Sequence, residues 1–174
     1  MLLNVACMKE TQNVSMKDKA VQDKISAILE NEPSFLNDTF RAKFVAHFVA
    51  TAKDYEFDPF LILAVMKIES SFKTNVKSFA NAYGLMQLKT VAAQEVANVF
   101  KVKAAGVKEL YNPFINVKTG IQYLAFIRDF LGNNKGHILS AYNLGPYRIK
   151  KKRMVTRYAE KVLSAYYAFL KVTI

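Results

Sequence analysis

The sequence predicts a mainly α fold, and three observations carry that prediction. Apolar residues recur at spacings of three and four, as in Phe40, Phe44, Phe48 and Ala52. Turn formers are scarce: six Gly and four Pro in 174 residues leave too little punctuation for a strand-rich sandwich. Hydrophobic residues make up 52% and charged residues 22%, which supplies a core and excludes global disorder.

Residues 1–14 carry no clear period. Ser15-Met-Lys-Asp18 fits a capped helix start, with Val21, Ile25, Ile28 and Leu29 on one face. Pro33 stops that helix near Glu32. Together these make residues 1–35 an N-terminal segment and first helix, and residues 36–174 the main domain. A second helix opens between Asn37 and Thr39 and runs through the Phe40 stripe. His47 lies beside that stripe and reads as a packed or surface residue. Asp58-Pro59 opens a third helix with Pro at its first position. From Phe60 to Ile68 only Lys67 is charged, so this helix belongs in the middle of the domain.

Residues 73–83 read as irregular, with room for a short hairpin and with Asn81 suited to a left-handed turn. Thr90 is placed as the cap of a fourth helix ending near Phe100. Lys101 to Leu110 reads as a basic loop or short turn. Asn112-Pro113 starts a fifth helix that Gly132 ends. A short helix follows, Ile138 to Leu144, broken by Gly145-Pro146. Arg148 to Arg153 is basic at five of six positions and reads as a solvated turn or a contact for an anionic polymer. A last helix carries Val155, Tyr158, Val162, Tyr166 and Phe169. The sum is about eight helices and one small β element.

The formal charge is +11, from 25 Lys and Arg against 14 Asp and Glu. That balance suits nucleic acid, an anionic membrane surface or an anionic polymer such as a cell wall. No nucleic-acid recognition motif accompanies it. The single cysteine, Cys7, excludes an internal disulfide and a cysteine-based zinc site. Met1 to Cys7 resembles the tail of a lipoprotein signal without its basic start, so a frayed terminus is favoured over lipid attachment at Cys7. The central apolar run, Phe60 to Met66, is far below the roughly 18 residues of a membrane span.

One residue departs from this pattern. Glu69 closes the apolar run Leu63-Ala-Val-Met-Lys-Ile-Glu-Ser-Ser-Phe72. A lone ionised carboxylate is costly to bury. Glu69 therefore either points to water or sits in a cleft with its proton affinity raised, as an acid catalyst requires.

Three segments form an ordered set: Glu69-Ser-Ser-Phe72, Gly84-Leu-Met-Gln87 and Ala141-Tyr-Asn143, with Ser78 nine residues after Glu69 and Tyr158 in the last helix. Over roughly residues 40–170 the chain resembles the soluble-type (family 1) lytic transglycosylases. The resemblance implies a goose-type-lysozyme-like α-helical domain with a small β element near the active site. It also implies cleavage of the β-1,4 bond between N-acetylmuramic acid and N-acetylglucosamine in peptidoglycan. The muramic acid 6-hydroxyl attacks its own anomeric carbon and leaves a 1,6-anhydro end.

Glycoside cleavage ordinarily uses two carboxylates about 5–10 Å apart. Asp54, Glu56 and Asp58 precede the central helix, and Glu95 lies on the next one; none belongs to the motif set. A single acid/base, Glu69, is the natural reading, with the substrate's N-acetyl group supplying internal stabilisation. By resemblance Ser78 hydrogen-bonds Glu69 or the sugar, Met86 walls the cleft, Gln87 serves acetamido or hydroxyl groups, and Tyr142, Asn143 and Tyr158 serve the glycan. Ser70 reads as structural. The chain departs from the family at Asn81 and Tyr147, where Gly is usual, and at Thr90, where Pro is. These put cleft shape in question rather than reaction type. No metal or cofactor is expected. The implied partner is a peptidoglycan strand met by a monomer in the periplasm or cell envelope. A hydrolytic muramidase and a non-catalytic peptidoglycan-binding module are the alternatives.

Overall fold

A computed structural model describes residues 17–172. Helix α1 is in place over residues 17–29, so its expected cap Ser15 lies outside the described residues, as does Cys7. A short 3-10 turn, Pro33–Phe35, leads to α2 (Asp38–Asp54) and α3 (Pro59–Ser70). Then follow α4 (Thr90–Phe100), α5 (Val107–Leu110), α6 (Pro113–Leu131), α7 (Lys135–Leu144), α8 (Pro146–Lys152) and α9 (Arg157–Lys171). Strand pairing among the described residues is confined to two isolated antiparallel bridges, Lys77 with Tyr83 and Tyr83 with Leu88.

Helix α3 is the hub. Every residue from Phe60 to Met66 is buried, because α2 and α9 pack along it. Its start is fixed by Pro59 and by Asp58, whose carboxylate accepts from the Phe60 amide at 2.9 Å. Its end is fixed by Ser71 and Phe72, both at positive φ, with the Phe72 ring buried as an anchor. Helix α6 forms a second spine against α2, α4 and α7. Ile25 and Leu29 of α1 join the same core as Phe44, Phe48 and Leu63.

Several local expectations need correction. Arg148 to Arg153 is not a basic turn; α8 is helical to Lys152, with Arg153 left-handed at its end. Pro146 presets the first helical φ, and Lys and Arg are good helix formers that complement the negative end of the dipole. The loop after Lys101 contains α5. Thr90 is the first helical residue of α4, and the cap is Lys89 with no side-chain bond. Helix α7 starts at Lys135, earlier than Ile138, because Asn134 caps it. Val155 lies outside α9 and is exposed. Asn81 does take the left-handed conformation, at φ 55°.

The segment between α3 and α4 is held by a residue the motif reading passed over. Asn116 of α6 is fully buried. Its Oδ1 accepts from the Met86 amide, and its Nδ2 donates to the carbonyls of Tyr83 and Leu110, each at 2.8 Å. Gly84 sits at φ +72° against this side chain and the Leu110 carbonyl, with no room for a Cβ. Replacing Asn116 with Ala strands one buried N–H and two carbonyls. Asn116→Ala is expected to cost about 3 kcal/mol in urea unfolding.

Candidate active site

The C-terminal turn of α3, the 78–89 segment, the start of α4, α6 and the end of α7 enclose a cleft of about 520 Å³. Glu69 lines it, with Ser78, Gln87, Tyr142 and Asn143. Of the residues expected from sequence, these five are brought together. Glu69 is largely buried and faces the cavity, which decides between its two readings in favour of the cleft.

The polar groups around it are held by their own backbone contacts. Ser78 and Ala82 close a turn: the Ala82 amide donates to Ser78 Oγ at 3.1 Å, and the Ser78 amide to the Ala82 carbonyl at 3.0 Å. Ser78 is thus positioned by Ala82, and the hydroxyl bonded to Glu69 is that of Tyr158 instead. Gln87, at φ 47°, donates its amide to the carbonyls of Gly84 and Val76, at 2.9 and 3.2 Å. This leaves its side-chain oxygen as the free acceptor. Tyr142 donates to the Met86 carbonyl at 2.7 Å, which ties α7 to the opposite wall. Ser70 bonds back to the Met66 carbonyl at 3.0 Å, as a structural residue does.

Two expected site residues take other places. The Met86 side chain is fully buried and packs onto Gly120 of α6, where any side chain would collide with its sulfur. It is core, not cleft wall; only its backbone carbonyl serves the site. Tyr158 does not line the cleft. Its hydroxyl donates to Glu69 Oε1 at 2.6 Å from the α9 side, so it orients the carboxylate from behind. Among the lining residues that the motifs do not name, Tyr123 of α6 adds a second aromatic, its ring 5.7 Å from that of Tyr142. The signal was present as Tyr123 and Phe126 three apart on α6, outside its apolar stripe of Val117, Ile121 and Leu124.

The electrostatics follow from burial. Loss of water pushes the Glu69 carboxyl up to about 7, against a smaller lowering by the Tyr158 hydroxyl. Tyr142 and Tyr158 are pushed well above the ordinary phenol range, by burial first and by the nearby Glu69 second. Both phenols are therefore neutral donors at physiological pH. Among the described residues no group of three or more His, Cys, Asp or Glu could hold a metal ion.

The transglycosylase SLT domain family model matches residues 47–164. The chain belongs to this SLT family. It is 38% identical over 102 residues to the membrane-bound lytic murein transglycosylase C of Histophilus somni, covering 52% of this chain and 28% of that protein. It is 32% identical over 89 residues to the soluble lytic murein transglycosylase of Escherichia coli, covering 51% and 14%. The chain thus spans under a third of these curated relatives. Among solved structures it superposes on an inactive glutamate-to-glutamine mutant of the lytic transglycosylase Slt from Pseudomonas aeruginosa, with TM-score 0.65 and 27% identity, covering 71% of this chain and 23% of that one. The 70 kDa soluble lytic transglycosylase of Escherichia coli gives TM-score 0.63 and 26% identity, covering 71% and 23%. The lysozyme-like α fold expected from the motifs is the fold observed.

The raised Glu69 value makes an SLT-domain stability test possible. An unfolded glutamate titrates near 4.5 and the folded one near 7, so between these values the folded chain keeps a proton that the unfolded chain has released. Stability therefore falls as pH rises through this window and stays lower above it. Glu69→Gln removes the ionisation while keeping an acceptor for Tyr158. It is expected to match the wild type below pH 4.5 and to exceed it above neutrality by at most about 3 kcal/mol in chemical denaturation.

Proposed function

We propose that the chain is a peptidoglycan lytic transglycosylase, cleaving the β-1,4 bond between N-acetylmuramic acid and N-acetylglucosamine and forming 1,6-anhydromuramic acid ends. The observation that carries this is the state of Glu69: a carboxylate protonatable near neutral pH, facing a cleft in which it is the one lining carboxylate among the described residues. The inactivity of the glutamate-to-glutamine mutant of the Pseudomonas relative supports an essential glutamate in this fold.

The chemistry follows from that state. Neutral Glu69 donates its proton to the glycosidic oxygen as the bond to the anomeric carbon breaks. Positive charge develops at that carbon, and the substrate's own acetamido oxygen stabilises it. The Glu69 carboxylate then accepts the proton of the muramic acid 6-hydroxyl as that oxygen bonds to the anomeric carbon. The ring closes to the anhydro sugar, Glu69 regains its proton, and no water enters the balance. Tyr158 holds the carboxylate oxygen that is not delivering the proton. Gln87 and Asn143 present polar groups to the sugar, Ser78 lines the groove beside them, and Tyr142 and Tyr123 form its aromatic wall.

The reading places the catalytic domain in residues 36–174, with residues 1–35 as an N-terminal segment and first helix. It needs no cofactor. It sets a monomer in the periplasm or cell envelope; no helix among the described residues is long and apolar enough to cross a membrane. The cations of α8 suit the carboxylates of a wall polymer.

Purified sacculi with mass spectrometry of the soluble products test the reaction. Anhydro ends are the expected result, and reducing muramic acid ends mean hydrolysis instead. Glu69→Gln is expected to lower release about a thousandfold, the loss of an acid that supplies roughly 4 kcal/mol to the transition state. For the wild type, kcat/KM falls as pH rises through about 7, where Glu69 gives up its proton. In Tyr158→Phe the carboxyl loses its lowering partner, so this falling limb moves to higher pH. An unmoved limb would show that the Tyr158 bond does not tune the acid.

A further inference from the structure

An aromatic ladder leaves the cleft and ends at a surface aromatic. Tyr142 and Tyr123, inside the cleft, are 5.7 Å apart by ring centroid. Tyr123 meets Phe126 at 6.1 Å, and Phe126 meets Phe130 at 6.0 Å, so three residues of one α6 face continue the wall outward. Phe130 meets Tyr147 edge-on at 5.2 Å. Tyr147 is 66% exposed, the second residue of α8, and two positions past Gly145, which itself lines the cleft.

Phe130 braces a second α8 residue. Lys150, one turn after Tyr147, places its ammonium 4.1 Å from the Phe130 ring centroid. One buttress thus holds an exposed ring and a cation side by side. Beside them, Lys150 joins His137 and Arg153 around a recess of about 50 Å³, room for a carboxylate rather than for a sugar ring.

We propose that Tyr147 and Lys150 form a distal glycan subsite beyond the catalytic cleft, taking an N-acetylmuramyl unit that carries an anionic peptide stem. The apolar C–H face of a pyranose packs on an aromatic plane, and Tyr147, 66% exposed, offers its ring at low entropic cost because Phe130 packs against it. The stem carboxylate meets Lys150 and the cationic recess, which a neutral sugar polymer would not use. Continuity with the cleft and charge complementarity select a peptidoglycan strand as occupant. The proposal rests on the function proposed above.

The test compares long, stem-bearing glycan strands with a tetrasaccharide confined to the cleft. Tyr147→Ala is expected to lower kcat/KM on long strands roughly five- to tenfold, through KM, and to change the tetrasaccharide value less than twofold. Tyr147→Phe keeps the ring and restores the long-strand value. Lys150→Gln raises KM several-fold on stem-bearing strands and not on strands stripped of stems by an amidase. Equal losses on both lengths, no loss on long strands, or no rescue by Phe would each overturn the subsite. Should the wild type cleave neither substrate, the function reading fails, and co-sedimentation with sacculi judges the subsite separately. Weaker pelleting of Tyr147→Ala then retains it as a binding site, and equal pelleting removes it.

Discussion

Helix α3 is strapped to α9 at both ends by the same kind of bond. Tyr158 donates to Glu69 near the helix C-terminus and Tyr166 donates to Asp58 at its N-cap, each at 2.6 Å. The two helices run antiparallel, so the early tyrosine of α9 meets the late carboxylate of α3. Between the straps lies the apolar run from Phe60 to Met66, buried on every face. Such a helix has no solvent stripe to set its rotation and could settle in several orientations. Polar links at its ends remove that freedom, because an orphaned phenol or carboxylate would be costly at any other setting. The orientation of Glu69 toward the cleft is therefore a property of the α3–α9 pair.

The remaining walls are fixed by similar buried polar links rather than by strand pairing. Asn116 holds the 83–86 backbone to α6, and Tyr142 holds the same segment to α7 through the Met86 carbonyl. Ser140 of α7 in turn accepts from the Thr156 amide, and Thr156 caps α9 just before Tyr158. A closed circuit results: α9 positions Glu69, α7 positions α9, and α7 also grips the loop facing Glu69. Two isolated bridges suffice as a β element because side chains carry what a ladder of backbone bonds would otherwise do.

The helices with a strong apolar period and an Asn or Asp cap followed by helix-forming residues were legible in the sequence. The Phe40 to Ala52 stripe lies within α2, and Asp58-Pro59 and Asn112-Pro113 mark the starts of α3 and α6. Helix α8 was not legible, since its cations read as easily as a solvated turn; the choice is made by Ile149 and Pro146 docking into the fold. In the site, order and spacing of motifs located Glu69, Ser78, Gln87, Tyr142 and Asn143. Met86 and Tyr158 were placed on the cleft surface because a motif names residues without saying which way they point. The burial of Met86 is decided by Gly120, thirty-four positions away, and the turn of Tyr158 toward Glu69 by helix packing. Asn116 carries no local signal of its role and acquires one only from Tyr83, Met86 and Leu110, whereas Tyr123 shows only as an aromatic off the apolar stripe of α6.

The distribution of charge explains how a strongly basic chain keeps a neutral acid. A cation close to Glu69 would favour its ionised form and draw its value back down. The structure keeps the cleft nearly free of them: Lys89 is the one cation lining it among the described residues, while Arg148, Lys150, Lys151, Lys152 and Arg153 gather on α8. Burial pushes the phenols of Tyr123, Tyr142 and Tyr158 upward too, so the groups nearest Glu69 are uncharged donors and acceptors. A high density of cations and storage of a proton on a carboxyl impose opposite demands on one chain. Placing the cations outside and the apolar walls inside lets both operate at one pH, and the aromatic ladder from Tyr142 to Tyr147 joins the two regions without carrying charge between them.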